Sequence, residues 1–345
     1  MKPSFDHKED SSFQHVHEDH VEDRQPLGAE QLVEQMKETA DKLIRDGVNR
    51  GDVKLLNTAL KELRYALKVF APFKDRRKVT IFGSARLPPD HPAYKQGVEF
   101  GRLIAQAGFM VITGAASGIM EAGMVGAGRA NSIGVNILLP FEQAANPIIA
   151  GDNKLMHLKY FFTRKLMFVK ESDAVVHFSG GFGTQDECFE VLTLVQTGKS
   201  HLFPIVMIDE PGGDYWKRWH QYIRDVLLAR HLISPADLAL YKVTDSVRDA
   251  VQEVLGFYRV YHSMRYVGSN LVLRLQRRLS DGLVARFRSE FKDMVVGAGT
   301  FEQTEALPAE ANDIKVASLP RLVFHFDRHS LGRLRMLVDV INREG

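Results

Sequence analysis

The sequence predicts an α/β fold built on a doubly wound, mainly parallel sheet. Short, nearly continuous apolar runs recur across residues 78–258, and such runs are typical of strands that helices cover on both faces. Helical stretches separate the runs, and each is long enough to connect two parallel strands. Loops rich in glycine and other small residues follow several runs. Together these features predict a Rossmann-like sheet whose ligands bind outside the carboxyl ends of its strands.

Five apolar runs are the predicted strands. They are VTIF (79–82), FMVIT (109–113), IGVNIL (133–138), AVVHF (174–178) and PIVMI (204–208). The loops that follow four of them should form one mouth, because the carboxyl ends of parallel strands meet at the same edge of a sheet. These loops are GSAR (83–86), GAASGIME (114–121), LPFEQAANP (139–147) and SGGFGTQDE (179–187).

Three other segments flank this region. Residues 1–27 are acidic and poor in aliphatic side chains, which predicts a disordered tail. Residues 28–72 keep their leucines at helical spacing and predict a helical hairpin. Residues 259–345 predict a small α+β segment, in which leucines at every fourth position from Leu271 to Leu279 suggest a helix. The other elements expected there are a strand at 321–326 and a terminal helix at 330–342.

The composition argues against several classes of protein. The 345 residues include 45 Lys+Arg and 43 Asp+Glu, a balance that does not favour binding to nucleic acid or to an acidic membrane. No run of 18 apolar residues or signal-peptide core is present. The single cysteine, Cys188, reads as a buried hydrophobe and fits a reducing compartment. We therefore expect a cytoplasmic protein that binds a small molecule, and no cluster of metal ligands stands out.

The stretch SGGFGTQDE (179–187) carries the clearest chemistry. A strand leads into a glycine-rich turn, and a helix is expected to begin near Thr184. Backbone N–H groups of such a turn can converge on an anion, and the helix N-terminus adds favourable partial charge. A dinucleotide site is not expected, since the sixth position of the fingerprint is Asp186. Two roles stay open for Asp186 and Glu187: capping of the first helical turn, or chemistry beside a bound phosphate.

A second informative stretch lies just upstream, in KYFFTRKLMFVKESD (159–173). It reads as a helix in which Arg164 and Lys165 interrupt an apolar run. Half-buried cations need an anionic partner. Arg164 and Lys165 are therefore either ordinary surface cations, or Arg164 lies in the mouth and faces a substrate phosphate or Glu187.

The two stretches together resemble the Lonely Guy (LOG) family, once labelled lysine decarboxylases. Arg164-Lys165 followed by GGFGTQDE (180–187) is similar to the family's paired RK and PGGxGTxxE motifs, and GAASGIMEAGMVGAGRA resembles its GGGPGIMEAANRGA-like segment. The resemblance spans roughly residues 78–255. It implies a nucleoside 5′-monophosphate phosphoribohydrolase, an enzyme that releases a free base and ribose 5-phosphate. It also implies a homodimer or higher homo-oligomer, and the reaction needs no cofactor or metal.

The resemblance assigns the catalytic roles to Arg164 and Glu187, with Arg164 holding Glu187 in place and keeping it ionised, or binding ribose or phosphate directly. Glu121 either caps its helix or reaches a substrate hydroxyl. Phe161 stands where the family has methionine, and this difference in the base pocket leaves the identity of the recognised base undetermined. The residues expected to bind substrate or its phosphate, from the mouth loops and the resemblance, are Gly83, Ser84, Gly118, Glu121, Lys165, Gly180, Gly181, Phe182, Gly183, Thr184, Asp186 and Thr193.

Other interpretations stay open at this point. Proteins of the same fold carry a molybdenum-pterin cofactor or bind nucleotides without cleaving them, and a pure binder would not need both Arg164 and Glu187. A third possibility is a nucleotidase whose tail and C-terminal segment bind an effector. It would share the chemistry of the phosphoribohydrolase. Decarboxylation with pyridoxal phosphate would need a Schiff-base lysine, and no spacing singles one out, although Lys165 is conceivable.

Overall fold

A computed structural model describes residues 27–138, 144–297 and 299–345. Most of the predicted tail and the first five residues of the loop 139–147 lie outside these ranges, so the predictions made for them are not tested. Within the described residues, no helix is both long enough and apolar enough to cross a lipid bilayer.

The described residues form ten α-helices and eleven β-strands. The helices are α1 (Ala29–Arg45), α2 (Arg50–Phe70), α3 (Pro92–Gln106), α4 (Ile119–Ala127), α5 (Phe161–Lys170), α6 (Phe182–Gln196), α7 (Tyr215–Tyr222), α8 (Val247–Phe257), α9 (Asp281–Glu290) and α10 (Leu331–Glu344). The strands are β1 (Lys78–Phe82), β2 (Met110–Thr113), β3 (Ser132–Ile137), β4 (Leu155–Leu158), β5 (Ala174–Phe178), β6 (Ile205–Ile208), β7 (Tyr241–Thr244), β8 (Tyr261–Val267), β9 (Asn270–Leu275), β10 (Glu302–Thr304) and β11 (Arg321–Phe324).

The main sheet has seven parallel strands in the order β4-β3-β2-β1-β5-β6-β7. Helices α3, α4 and α8 pack on one face, and α2, α5, α6 and α7 pack on the other. The doubly wound α/β prediction is therefore confirmed, and the five predicted strands occur within a residue of their expected bounds. The edge strands β4 and β7 were not predicted, because LMHL and YKVT are short and only partly apolar.

The strand order reverses between β1 and β5, which lie side by side. The helices that follow these two strands leave the sheet on opposite faces. A crevice opens between the two outgoing loops at such a switch point, and ligands bind there in open parallel sheets. The loop after β1 begins at Gly83, and the loop after β5 is the glycine-rich turn that the sequence singled out.

The predicted helical hairpin is present as α1 and α2. Helix α2 buries Ala59, Ala66 and Phe70 in the core on the α5 side of the sheet. Its N-terminus is capped by the Asn49 side chain, which accepts hydrogen bonds from two backbone N–H groups. Helix α1, by contrast, has no buried residue.

The C-terminal segment is α+β, as predicted, but one element differs. The expected helix from Leu271 to Leu279 is wrong, because Asn270–Leu275 forms strand β9 of a four-stranded antiparallel sheet ordered β10-β11-β9-β8. A spacing of four residues suits one face of a helix and also one face of a strand, since four is an even number. The strand expected at 321–326 and the terminal helix are present as β11 and α10.

Candidate active site

The glycine-rich turn delivers the chain into α6 with an open helix N-terminus. Gly181 is the N-cap and offers no side-chain cap, and the first turn of α6 contains no acidic residue. Reading Asp186 and Glu187 as first-turn caps is therefore wrong. The N–H groups at this end and the positive end of the helix dipole are left to attract an anion at the carboxyl edge of the sheet.

Three of the four predicted mouth loops meet around this turn. Ser84 N donates a hydrogen bond to Ser179 O at 3.0 Å, and Ile119 N donates to Ser84 O at 3.0 Å. The loops after β1, β2 and β5 are thus tied to one another through Ser84. The remaining loop, 139–147, contributes Asn146, whose side-chain Nδ2 donates a hydrogen bond to Ala116 O at 3.1 Å.

Two glycines allow this close approach. A Cβ on Gly118 would lie 2.3 Å from Ser84 O, and a Cβ on Gly180 would lie 2.2 Å from Thr184 Oγ1 and 3.0 Å from Ser84 N. Any larger residue would push the loops apart. The structure therefore brings Gly83, Ser84, Gly118, Gly180 and Thr184 together, and their binding roles stay predictions.

Tyr215, at the start of α7, braces the turn from behind. Its hydroxyl donates a hydrogen bond to Gly180 O at 2.6 Å and accepts one from Gln185 Nε2 at 2.5 Å. One side chain therefore ties the turn to the first turns of both α6 and α7. No sequence pattern indicates this contact, because 35 residues separate Tyr215 from Gly180 and no spacing connects them.

We expect Tyr215→Phe to loosen the turn, since it removes both hydrogen bonds and preserves the ring. The affinity for ribose 5-phosphate should fall several-fold and the free energy of unfolding by about 1 kcal/mol. Ligand-dependent thermal shifts and urea unfolding measure the two effects. Tyr222→Phe is the matched control, because Tyr222 lies on the same helix and is half exposed. Unchanged affinity in Tyr215→Phe would show that the brace is unnecessary.

Arg164 lies in the mouth and not on the open surface. Its Nε donates to Val135 O at 3.0 Å, and its guanidinium packs 5.1 Å from the centre of the Phe168 ring. The guanidinium also lies against Gly114, where a Cβ would come within 2.2 Å of Nη2. Burial lowers the pKa of Arg164, and the negative charge of Glu187 opposes that change. The surface-cation reading of Arg164 is therefore excluded.

Lys165 is the cation that contacts the acids of α6. Its Nζ lies 2.8 Å from Asp186, 2.7 Å from Glu190 and 3.9 Å from Glu187. Among the residues that the structure describes, Arg164 and Glu187 form no ion pair. The expectation that Arg164 holds the Glu187 carboxylate directly is thus wrong, and Lys165 lies in that position.

Glu187 is buried, with 7% of its surface exposed. Within the described part of the chain, its Oε2 has no hydrogen-bond partner. Burial raises the pKa of Glu187 to about 7; the charges of Lys165 and Arg164 oppose this, and those of Glu190 and Asp186 add to it. This differs from the expectation that Arg164 keeps Glu187 ionised, because the effect of burial on the pKa exceeds that of the neighbouring cations. A carboxyl group with this pKa can hold or release a proton near neutral pH.

A surface pocket of about 390 Å³ opens beside these charges. It is lined by Lys165, Asp186, Phe189, Glu190, Thr193 and Leu194. Asp186 and Thr193, both expected to bind substrate, line this pocket from one face of α6, and their binding roles stay predictions. Thr193 Oγ1 donates to Phe189 O at 2.7 Å, so its hydroxyl is engaged within the helix.

The remaining predicted residues have contrasting surroundings. Glu121 lies in the first turn of α4 and is partly buried; burial chiefly raises the pKa of Tyr94 on α3, and the Glu121 charge adds to this. Phe182 is 96% exposed at the tip of the turn. Cys188 is fully buried, and burial raises its pKa, which agrees with a core residue and not a nucleophile.

Residues 113–254 match the family model described as "Possible lysine decarboxylase". The match runs from the end of β2 into α8, so the matched region includes both Arg164 and the turn from Gly180 to Glu187. No curated protein sequence matches the chain.

Three solved structures are similar to about half of this chain. The X-ray structure of TM1055, a structural-genomics target, is 25% identical over 51% of this chain and 96% of its own, with a TM-score of 0.37. A molybdenum cofactor carrier protein from Chlamydomonas reinhardtii is 19% identical over 52% of this chain and 96% of its own, with a TM-score of 0.36. DNA processing protein A from Helicobacter pylori is 14% identical over 53% and 83%, with a TM-score of 0.38. All three scores lie below 0.5, so they do not bear on activity.

The decarboxylase description can be tested against Lys165. A lysine that forms a Schiff base needs a lowered pKa, so that the neutral amine is available. The hydrogen bonds to Asp186 and Glu190 and the charge of Glu187 raise the pKa of Lys165 despite its partial burial. Lys165 therefore does not fit a pyridoxal phosphate site.

Proposed function

We propose that the protein hydrolyses the N-glycosidic bond of a nucleoside 5′-monophosphate and releases a free base and ribose 5-phosphate. The observation that carries this proposal is the position of Glu187. A buried carboxyl group with a pKa of about 7 lies one helical turn behind an uncapped, glycine-rich helix N-terminus. A phosphate bound at this N-terminus would then lie near a carboxyl group that can hold or release a proton.

The turn supplies binding energy for the phosphate. The 5′-phosphate would lie at the N-terminus of α6, where backbone N–H groups and the helix dipole favour a dianion. Thr184 adds a hydroxyl group near Gly180. Because the phosphate is remote from the bond that breaks, its binding energy can hold C1′ against Glu187 and Arg164.

Glu187 then acts on the ribose. When the C1′–N bond breaks, its electron pair leaves with the base, and positive charge develops on C1′ and the ring oxygen. Ionised Glu187 stabilises that charge and takes a proton from the attacking water, whose oxygen bonds to C1′. The proton that Glu187 takes passes on through solvent to the departing base, which completes the products and returns Glu187 to its ionised form. Arg164, held by Val135 O, is placed to bind ribose or phosphate oxygens.

A panel assay tests the proposal. Purified protein is incubated with AMP, GMP, CMP, UMP, IMP and isopentenyladenosine monophosphate, and free bases are separated by chromatography. We expect release from at least one substrate and none from the Glu187→Gln variant. No release from any of them, together with tight binding of a nucleotide or a pterin, would instead support a carrier of the kind the sequence left open.

Two further properties belong to this proposal. We place the enzyme in the cytoplasm, where nucleoside monophosphates are available, and we infer a homodimer from the LOG resemblance. Phe161, Phe162 and Leu166 on the outer face of α5 are about half exposed, and they offer apolar surface for a second copy. Light scattering on the assayed sample distinguishes a dimer from a monomer.

A further inference from the structure

Helix α5 carries both Arg164 and Lys165, but its own residues leave its N-terminus bare. Its N-cap residue, Tyr160, makes no side-chain cap, and its first turn contains no acidic residue. The first N–H groups of a helix have no partner within the helix, and an uncapped first turn frays. The position of the two cations therefore depends on what else fixes this end.

A carboxylate from the N-terminal hairpin holds the residues that lead into this end. Glu62 on α2 accepts a hydrogen bond from Lys159 N at 2.7 Å with Oε1. Its Oε2 lies 2.7 Å from the Thr163 hydroxyl, which donates to it, and 3.5 Å from Tyr160 N. A negative charge at this end also complements the helix dipole. Glu62 thus fixes the entry to α5 through two backbone N–H groups before the helix and one side chain of its first turn.

Glu62 is held firmly by its own helix. Ala59 and Ala66, three residues before and four residues after it, are buried, and the neighbouring Leu63 packs on the same core. These positions form the face of α2 that lies against the domain. Thr163, whose hydroxyl donates a hydrogen bond to Glu62, is fully buried and immediately precedes Arg164 in the sequence.

We propose that Glu62 is a positioning residue of the active site, through which the appended hairpin sets where Arg164 and Lys165 lie. The inference rests on the function proposed above, and it gives the helical hairpin a role in that function. Two tight contacts make the position of α5 critical. Arg164 passes between Val135 O and the bare Cα of Gly114, and Lys165 reaches two carboxylates on α6 within 2.8 Å.

Three variants test the proposal. Glu62→Ala removes both carboxylate oxygens that accept hydrogen bonds from the start of α5, whereas Glu62→Gln keeps one oxygen acceptor without the charge. Glu38→Ala is the control, because Glu38 is an exposed glutamate of α1. Hydrogen exchange of the amides in 159–166, measured by mass spectrometry, reports the order of α5 without depending on catalysis. We expect exchange there to rise about fivefold in Glu62→Ala, less in Glu62→Gln and not at all in Glu38→Ala.

Kinetics on the preferred nucleotide supply the second readout. We expect kcat to fall about tenfold in Glu62→Ala, with a smaller change in KM, because the turn that binds phosphate belongs to α6 and stays intact. Glu62→Gln should restore most of the loss.

The two readouts separate the possible outcomes. Raised exchange confined to 159–166 supports the positioning role, even if no nucleotide is cleaved and the proposed function fails. Unchanged exchange in Glu62→Ala overturns it. Exchange that rises across the whole domain also overturns it, because Glu62 would then maintain the fold as a whole. A loss of kcat without raised exchange in 159–166 overturns it too, because Glu62 would then affect the reaction without positioning α5.

Discussion

Replacing Glu187 with glutamine should slow hydrolysis at least about a hundredfold and leave the protein folded. Glutamine has nearly the same shape but can neither accept a proton nor carry negative charge. Loss of a positioned acid–base group lowers turnover by about 10²- to 10⁴-fold. We expect kcat to fall in that range, with little change in the affinity for ribose 5-phosphate, since the phosphate turn is untouched. Residual activity above one tenth of the wild-type value would contradict this role.

The same variant has a second, pH-dependent signature. Burial raises the pKa of Glu187 from its ordinary value of 4.5 to about 7 in the folded protein. The stability contributed by the protonated form is therefore fully present below pH 4.5 and is lost as the pH rises through 7. Above pH 7 the ionised carboxylate costs the wild-type protein about 3 kcal/mol, from 1.36 kcal/mol for each pH unit.

Urea unfolding at pH 5 and pH 8 measures this signature. Glu187→Gln should be clearly more stable relative to wild type at pH 8 than at pH 5, because the variant carries no charge to bury. Glu290→Gln is the control, since Glu290 is an exposed residue paired with Arg286 and should show no such gain. An equal difference at both pH values would show that the Glu187 carboxyl group is not destabilised by burial.

Gly114→Ala should separate activity from stability. The added methyl group would lie 2.2 Å from Nη2 of Arg164 and 2.7 Å from Sδ of Met120. Both atoms belong to long side chains that can move, so the fold should lose only about 1–2 kcal/mol. Arg164 must nevertheless leave its position beside Gly114. A displacement of this kind can lower kcat about 10²-fold.

Steady-state kinetics and urea unfolding check both parts of this result. Gly256→Ala is the matched control, because a Cβ at Gly256 in α8 meets nothing within 4 Å. It should keep full activity and gain up to about 1 kcal/mol of stability. Wild-type kcat in Gly114→Ala would show that Arg164 does not act where the structure places it.

The sequence predicted the layered α/β fold because its central strands are buried on both faces. AVVHF (174–178) and its four counterparts are distinct apolar runs, and burial of both faces produces them. The edge strands β4 and β7 were not predicted from apolar runs, because an edge strand need not be apolar throughout. The helix expected from Leu271 to Leu279 failed for a different reason: its leucine spacing is shared by helices and strands, and tertiary pairing decided between them.

The candidate site was predicted in its residue types but not in its contacts. Arg164, Lys165 and Glu187 stand out in the sequence as charges within apolar or glycine-rich stretches. Their partners are set by the fold: Lys165, and not Arg164, lies beside the Glu187 carboxylate. The raised pKa of Glu187 results from burial, which no spacing records. The contacts of Tyr215 and Glu62 join segments 35 to about 100 residues apart and became visible only in three dimensions.

The most direct test of the account is a product analysis of one matched pair, the preferred nucleoside 5′-monophosphate and the same nucleoside without its phosphate. Mass spectrometry of each reaction should show free base and ribose 5-phosphate in equal amounts from the monophosphate. It should show no product from the nucleoside, because the turn at the N-terminus of α6 would have no anion to hold. Release of inorganic phosphate with the nucleoside left intact, or equal cleavage of both compounds, would contradict the proposed reaction.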